Sequence, residues 1–532
     1  MTFSSQTIPY SATGFFSKLA LDYTGQAAIL QPFYAAAPTI EGIKKTIEAR
    51  KQFPTNRKAL VEALKEQYAG TPLTAKQQFN IEQLNNDNCF TITTAHQPNI
   101  LTGPLYFIYK ILHAIKLAAI CKQQLPANDF VPVYYMGSED ADLDELGHVF
   151  INGEKYEWQT QQTGAVGRMK VDKALLQLID TIAGQVLVQP FGAAIIDVMK
   201  GCYKEGVTIE KATFQLVNHL FKEYGLLIVL PDSAALKKLF IPVIEKELKE
   251  AFSHQRVAET VAAFPAAYKV QASGRELNLF YLKDDRRDRI EAVDTGYRIH
   301  DTNVIFSKEE IIAALHEHPE RFSPNVILRP VFQETILPNI AFIGGGGEIA
   351  YWLELKKVFE AVQVPYPVLV LRNSFMIVEK DVRAKINALG FDFATLFQPE
   401  QELLNVFVKR ESSLQLDLST ERAALTATYE KLKTVSGAVD STLTKHTEAL
   451  QVQALKKIAV LEKKMLRAEK RKFEAQQRQL HKLKMLLFPN NSLQERVENI
   501  IPFFAKWGDD LIKALYQNSL GLEQELLVLK EE

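Results

Sequence analysis

Apolar residues in this chain follow two periods that alternate along it. Runs rich in β-branched and aromatic residues occur at Cys89 to Thr94, Phe130 to Met136, Tyr224 to Asp232, Ile340 to Ile343 and Pro365 to Ile377. Such continuous runs read as strands buried on both faces of a sheet. Between the first two, a helical spacing takes over after Pro104, with Tyr106, Tyr109, Lys110, Ile111, Leu112 and Ile115 sharing out an amphipathic helix. Strand, helix and strand make a βαβ unit, which predicts a parallel sheet and an α/β fold. Residues 38–88 read as helical, from Ile43, Ile47, Leu60, Leu64 and Tyr68. The stretch HVFINGEKYEW reads as a hairpin turning at Asn152-Gly153. Alternation through residues 268–290 predicts antiparallel strands with turns at Gly274 and Asp284-Asp285, and residues 326–329 (VILR) a further short strand.

The period changes again after Glu379. Ala454, Ile458, Leu461, Met465 and Ala468 repeat with the 4-3-4-3 spacing of a coiled-coil seam, and Leu425, Leu432 and Val439 lie seven apart on the preceding helix. A reversal around Gly437 to Ser441 gives an antiparallel helical hairpin, which predicts a homodimer. The expected organisation is a core over 1–378 with insertions at about 150–225 and 255–325, a coiled coil over 379–488, and a helical segment over 489–532 packing on the core.

Composition narrows the function. At 532 residues the chain exceeds a single core. Its formal net charge of -1 offers no electrostatic case for nucleic acid or an anionic membrane, and the basic run from Lys456 to Lys472 reads as a solvated coiled-coil face. Cys89, Cys121 and Cys202 form no Cys-x-x-Cys pair, so no structural metal is expected and a reducing cytoplasm is. Neither a signal peptide nor a membrane-spanning run is read, and no membrane partner is expected.

Candidate chemistry gathers at three strand ends. In an open α/β sheet, ligands bind outside the carboxyl ends of strands, where helix N-termini attract anions. The first strand ends in His96, Gln97, Asn99, Thr102 and Gly103, which either form a site or simply cap the following helix. The second ends in Glu139, Asp140 and Asp144, suited to an amine, ribose hydroxyls or hydrated magnesium; a solvated helix start is the plainer account. The alternating aspartates are no calcium loop, because Glu145 stands where that loop needs glycine and Ile151 where it needs glutamate. The third end carries Gly344 to Gly347, which let a ligand approach the backbone, followed by Glu348, Tyr351 and Trp352. Upstream lie Ser323, Asn325, Arg329 and Gln333. Arg275, Arg286 and Arg287 could meet a carboxylate or phosphate, but surface arginines of a hairpin are the commoner case.

Four motifs in order across residues 1–532 carry a resemblance: LTGPLYFIYK, SEDADLDELGHV, SPNVILRP with LPNIAFIGGGGEIAYW, and LFPNNSLQERVEN. Together they resemble the bacillithiol biosynthesis cysteine-adding enzyme family, BshC. The resemblance implies a Rossmann-like parallel-sheet core related to class I aminoacyl-tRNA synthetases, with connecting-peptide insertions and a dimerising coiled coil. It implies a ligase that joins cysteine by an amide bond to the glucosamine amine of glucosaminyl-malate. On that reading His96, Gln97, Asn99, Asp140 and Asp144 are catalytic, with His96 and Asn99 steadying phosphate oxygens. Thr102, Gly103, Tyr106, Glu139, Gln333, Gly345, Gly346, Glu348, Tyr351 and Trp352 bind substrate, and Arg329 grips the malate carboxylates. Nucleotide (ATP or ADP), with magnesium, is the implied cofactor. A second nucleotide pocket is implied between Arg372, Asn373 and Ser374 and the terminal Gln494, Glu498 and Asn499. Two departures stand out: the family's Thr-Gly-Gln-Gln is Thr94-Ala95-His96-Gln97 here, and its Glu-Asp-His-Asp has Ala141 for the histidine. A nucleotide-binding scaffold without turnover, or a nucleotidyltransferase on another small substrate, stays open.

Overall fold

A computed structural model describes residues 2–272 and 274–532. The chain divides into an α/β unit, residues 1–377 with 492–532, and a helical unit, residues 378–491.

The α/β unit is organised by five parallel strands: β1 (Cys89–His96), β2 (Asp129–Met136), β3 (Leu227–Val229), β4 (Asn339–Gly344) and β5 (Val368–Leu371). Their order across the sheet is β5-β4-β1-β2-β3, a doubly wound Rossmann-like arrangement. The apolar runs explain it: Phe90, Ile92, Ile340, Ile343, Val368 and Val370 are buried together against Ile43 and Ile47 and against Ala114, Leu117 and Cys121. The last three belong to α1 (Tyr106–Gln124), the crossover from β1 to β2. The chain leaves β1 first towards β2 and later returns on the other side to β4, so the topological switch lies between β1 and β4.

The insertions add a hairpin, His148–Ile151 with Glu154–Glu157, and a five-stranded antiparallel sheet running from Leu279 to Pro324. The hairpin turns where expected, with Asn152 and Gly153 both at positive φ. Three expected elements differ. The antiparallel strands begin only at Leu279, without a strand before Gly274. Residues 326–329 are no strand, because Pro330 starts a helix, Arg329–Ile336. The run from Pro365 to Ile377 is two strands: β5 stops at Leu371, and Ser374–Val378 enters a separate sheet. That sheet also holds Phe3–Pro9 and Glu525–Glu531, antiparallel from Phe3 opposite Glu531 to Pro9 opposite Glu525. The terminal stretch, expected to be helical, thus ends in a strand whose Leu526 to Leu529 are buried.

In the helical unit, α2 (Ser419–Val439) and α3 (Thr442–Lys470) form the long hairpin. Lys433 pairs with Glu448 at 3.0 Å, Ser436 meets Thr447 at 2.9 Å and Gln451 donates to Glu430 at 3.3 Å. Partners that advance on one helix as they recede on the other make the pair antiparallel. The contact is polar here, and much of the apolar seam stays exposed. No helix among the described residues is long and apolar enough to cross a membrane.

At the amino edge of the sheet lies a buried ion pair. Arg50 donates to the Glu334 carboxylate at 2.9 Å and to the Glu334 and Pro365 carbonyls at 2.7 and 3.1 Å, with both side chains at most 1% exposed. Burial pushes the Glu334 carboxyl up to about 7, and Arg50 restrains it. A carboxyl raised in the folded state costs stability as pH rises from its unfolded value of 4.5 through that point. Arg50→Met should therefore destabilise the α/β unit by about 3–5 kcal/mol at neutral pH. Urea unfolding at several pH values should show a smaller deficit near pH ~5 than near pH ~8.

Candidate functional site

The carboxyl ends of the parallel strands open into a cavity of about 630 Å3, within the range of ligand clefts. His96 and Gln97 come from β1, Glu139 and Asp140 from β2, and Gly345 to Glu348 from the turn after β4. Arg372 follows β5. The two walls that meet at the switch point are thus the His96 turn and the glycine turn.

A buried lysine joins them. Lys110 of α1, 1% exposed, donates to the Ala95 carbonyl at 2.6 Å and to the Glu348 carboxylate at 2.7 Å. The same Glu348 oxygen accepts the Gly345 N–H at 2.8 Å, capping the helix Gly346–Leu353. A Cβ at Gly347 would meet nothing within 4 Å, so its backbone faces open space.

The acidic wall is braced from behind. Glu139 is ion-paired with buried Lys237, which also donates to the Glu320 carbonyl at 2.9 Å. Burial holds the Glu139 carboxyl above its ordinary range even so. Asp140 accepts from Gln97 at 3.0 Å. Glu145 joins this wall, its carboxyl raised by burial and by the nearby Asp142 and Asp140.

Basic side chains line the same cavity, with Arg287 close to Glu139 and Asp140. Arg329 donates to the Tyr351 hydroxyl at 3.0 Å and to Gln333 at 3.1 Å. Arg287 lies over the Phe280 ring at 3.9 Å and donates to Ser323 at 3.2 Å. Six arginines line the cavity against four carboxylates, which favours an anionic ligand.

His96 lines the cavity too. Burial, with Lys110 and Arg372 nearby, holds its pKa well below 6.5, so the imidazole is neutral. Its Nε2 is buried without a protein partner.

Eleven of the expected site residues therefore line one cavity: His96, Gln97, Tyr106, Glu139, Asp140, Arg329, Gly345, Gly346, Glu348, Tyr351 and Arg372. Others lie elsewhere. Trp352 is fully buried, stacked on Phe342 and Phe359, because one helical step turns it from the cavity side occupied by Tyr351 into the core. Gln333 is buried behind Arg329. Asp144 is exposed, and its carbonyl meets the His148 ring at 2.8 Å.

Asn99 lines a smaller neighbouring cavity of about 190 Å3. Thr102 and Gly103 belong to a strained turn in which Leu101, Thr102 and Gly103 all have positive φ. The Asn499 amide donates to the Leu101 and Gly103 carbonyls at 2.9 and 2.6 Å and so holds that turn.

The residues expected to form a second nucleotide pocket are largely bonded to protein. Arg372 is paired with Glu495 at 2.7 Å, and Glu495 also accepts from Ser374 at 2.9 Å. Gln494 bonds both the N–H and the carbonyl of Ile377, at 2.9 and 3.2 Å. Asn373 donates to the Leu520 carbonyl at 3.1 Å. Backbone N–H groups of Asn152 and Gly153 restrain Glu498, whose carboxyl burial pushes up to about 7. These contacts fasten residues 494–499 to the sheet.

Arg287, set aside as a surface residue of a hairpin, lines the cavity together with Arg289, Arg275 and Arg496. Positions 287 and 289 share a strand face, a signal present in the sequence. Arg286, just before them, is exposed and paired with Asp288 at 2.6 Å. Lys110 also went unassigned, although a lysine on the apolar face of a helix signals a buried partner.

The fold defines a Rossmann-like α/β domain joined to a coiled-coil domain, with a cavity at the sheet's switch point. Residues 3–373 match the family described as "Bacillithiol biosynthesis BshC, N-terminal Rossmann-like domain", and residues 375–531 its C-terminal coiled-coil domain. The chain belongs to the bacillithiol biosynthesis BshC family. It is 37% identical over 524 residues to a Flavobacterium johnsoniae protein named "Putative cysteine ligase BshC", covering 98% of this chain and 99% of that one. A protein of the same name from Cytophaga hutchinsonii is 38% identical over 517 residues, covering 97% of each. A crystal structure titled "putative arginyl t-RNA synthetase" from Campylobacter jejuni aligns with 85% of this chain and 99% of its own, at 10% identity and a TM-score of 0.22.

The neutrality of His96 is open to measurement. Its ring resonances should show no titration between about pH 8 and about pH 6 in NMR of histidine-labelled protein, with His96→Gln supplying the assignment. A midpoint near 6.5 would contradict the burial of this ring.

Proposed function

We propose that this protein is a cysteine ligase that joins the carboxyl of L-cysteine to the glucosamine amine of glucosaminyl-malate, completing bacillithiol. The family supports the reaction, and one observation supports the place: a single cavity that brings acidic and basic side chains together. Both substrates need both kinds, since each offers an amine and at least one carboxylate.

In this reading Glu139 and Asp140 hold an ammonium group, with Gln97 fixing the Asp140 carboxylate. Arg329 and Arg287 take the malate carboxylates; their side-chain hydrogen-bond partners are the neutral Tyr351, Gln333 and Ser323, while Glu348 lies near Arg329 and Glu139 and Asp140 near Arg287. Tyr106 and Tyr351 close the sides. An amide forms from a carboxylate only after a leaving group is installed, and nucleotide is the proposed source. The residues fit a polyphosphate: Gly347 exposes first-turn backbone, and six arginines line the cavity. Among the described residues no three His, Cys, Asp or Glu side chains are grouped to hold a metal ion. Magnesium therefore enters the proposal only as the companion of nucleotide phosphates.

Positioning by these groups does the chemical work assigned here. The three buried free cysteines suit a reducing cytoplasm as the place of action.

The protein with cysteine, glucosaminyl-malate, ATP and magnesium should yield the amide product by mass spectrometry, and omission of ATP should abolish it. Product formed equally without ATP would mean a pre-activated cysteine donor. Nucleotide binding without product in any mixture would instead favour a scaffold. Asp140→Asn should lower kcat/KM about 10–100-fold, the scale of one charged hydrogen bond.

We further propose that the protein is a homodimer through the helical hairpin. Leu432, Val435 and Val439 form a stripe on α2, with Val435 65% and Val439 79% exposed, and a second copy would cover it. Sedimentation should give a dimer at micromolar concentration and a monomer for the Val435→Glu, Val439→Glu double variant. A monomeric parent protein would refute this.

A further inference from the structure

Three cavities meet at one side chain. The main cavity shares Gly346 and Gly347 with a second of about 490 Å3, bounded by Phe15 to Ala20 and Tyr268. It shares Tyr106 and Glu145 with the smaller one of about 190 Å3. Arg496 lines all three.

The backbone that presents Arg496 is fixed on both sides. Gln494 is bonded to both backbone groups of Ile377, and Glu495 to Arg372, Ser374 and the Phe375 N–H. On the other side the Glu498 carbonyl accepts the Leu105 N–H at 2.8 Å, and Asn499 holds the turn after β1. The Arg496 guanidinium itself, among the described residues, has neither a hydrogen bond nor an ion pair to protein. Its charged neighbours are Arg372 and Glu495, which are paired with each other. Arg496 is thus a cation on a rigid mount, at a junction where cavity residues already carry excess positive charge. A guanidinium placed so offers five unused N–H donors.

We propose that Arg496 binds an anionic oxygen group of a substrate, a phosphate or a carboxylate, at the junction of the main cavity with the second one. The adjoining Gly346 and Gly347 backbone faces the same junction, so the bound group lies between a guanidinium and first-turn N–H groups. This rests on the cysteine-ligase reading for the identity of the substrates, and on geometry alone for the binding. The group comes either from the nucleotide or from the malate moiety, and each source predicts a different Michaelis constant.

The test compares the parent protein with Arg496→Gln and Arg496→Lys. Arg496→Gln should raise KM about 10–100-fold for one anionic substrate, with the KM for cysteine unchanged, and Arg496→Lys should recover part of the loss. An increase confined to ATP assigns the phosphate; one confined to glucosaminyl-malate assigns the carboxylate. The thermal midpoint should not move, since the side chain has no protein partner to lose.

Equilibrium titration with inorganic pyrophosphate and with malate gives a readout independent of turnover. Affinity for one of them should fall at least about tenfold in Arg496→Gln. If the parent protein makes no amide yet this loss appears, the ligase reading fails and the Arg496 site stands. Unchanged KM values together with unchanged binding of both anions would overturn the Arg496 assignment and leave the ligase reading intact.

Discussion

The site depends on one buried ammonium. Lys110 rises from the first helix of the parallel sheet to a point between the two turns that flank the switch, bonding a carbonyl of one and a carboxylate of the other. A desolvated lysine survives there only because Glu348 neutralises it, and Glu348 is held in turn by the Gly345 N–H. Burial lowers the Lys110 pKa, and Glu348 opposes that shift. The His96 turn and the glycine turn are thereby tied together through the Lys110 side chain. A cleft can stay open in a protein whose interior is otherwise close-packed.

The second constraint comes from far along the chain. Residues 494–499 serve the sheet as a clamp, with side-chain amides and a carboxylate doing what strand pairing does elsewhere. Gln494 treats Ile377 as a neighbouring strand would, bonding both its N–H and its carbonyl. Asn499 stabilises three successive positive-φ residues, two of them not glycine, which would otherwise relax. The acidic wall is fixed the same way, by Lys237 from behind. Every polar wall of the cavity is therefore backed by a buried partner of opposite charge or complementary hydrogen bonding.

Much of this was legible in the sequence, and the reasons are specific. The parallel sheet and its site-bearing edge follow from uninterrupted apolar runs ending in His96-Gln97, Glu139-Asp140 and Gly344 to Gly347. Helical facing was harder: Tyr351 and Trp352 are neighbours in sequence, yet only the first looks into the cavity, since consecutive helical residues diverge by about 100°. The arginines of Arg287 and Arg289 were hidden for a different reason. A hairpin insertion from another part of the chain swings over the sheet edge, and no local pattern states where it lands. Residues 494–499 carried polar types that suit a ligand and a clamp equally; only their partners decide. Arg496 was missed because an arginine beside a turn looks the same whether or not its neighbours are anchored.

The clamp has a consequence for how the protein is made. Arg372 and Glu495 are separated by 123 residues, most of which form the helical unit. All five parallel strands leave the ribosome before the segment that steadies their ligand cleft. At about 5–20 residues per second, that interval lasts on the order of 6–25 seconds. For that time the nascent sheet has its full complement of strands, while Arg372 lacks its carboxylate and the turn after β1 lacks Asn499. The cavity is completed late, ahead only of the helices and the Glu525–Glu531 strand that finish the α/β unit, and the nascent chain carries it unfinished until residues 494–499 emerge.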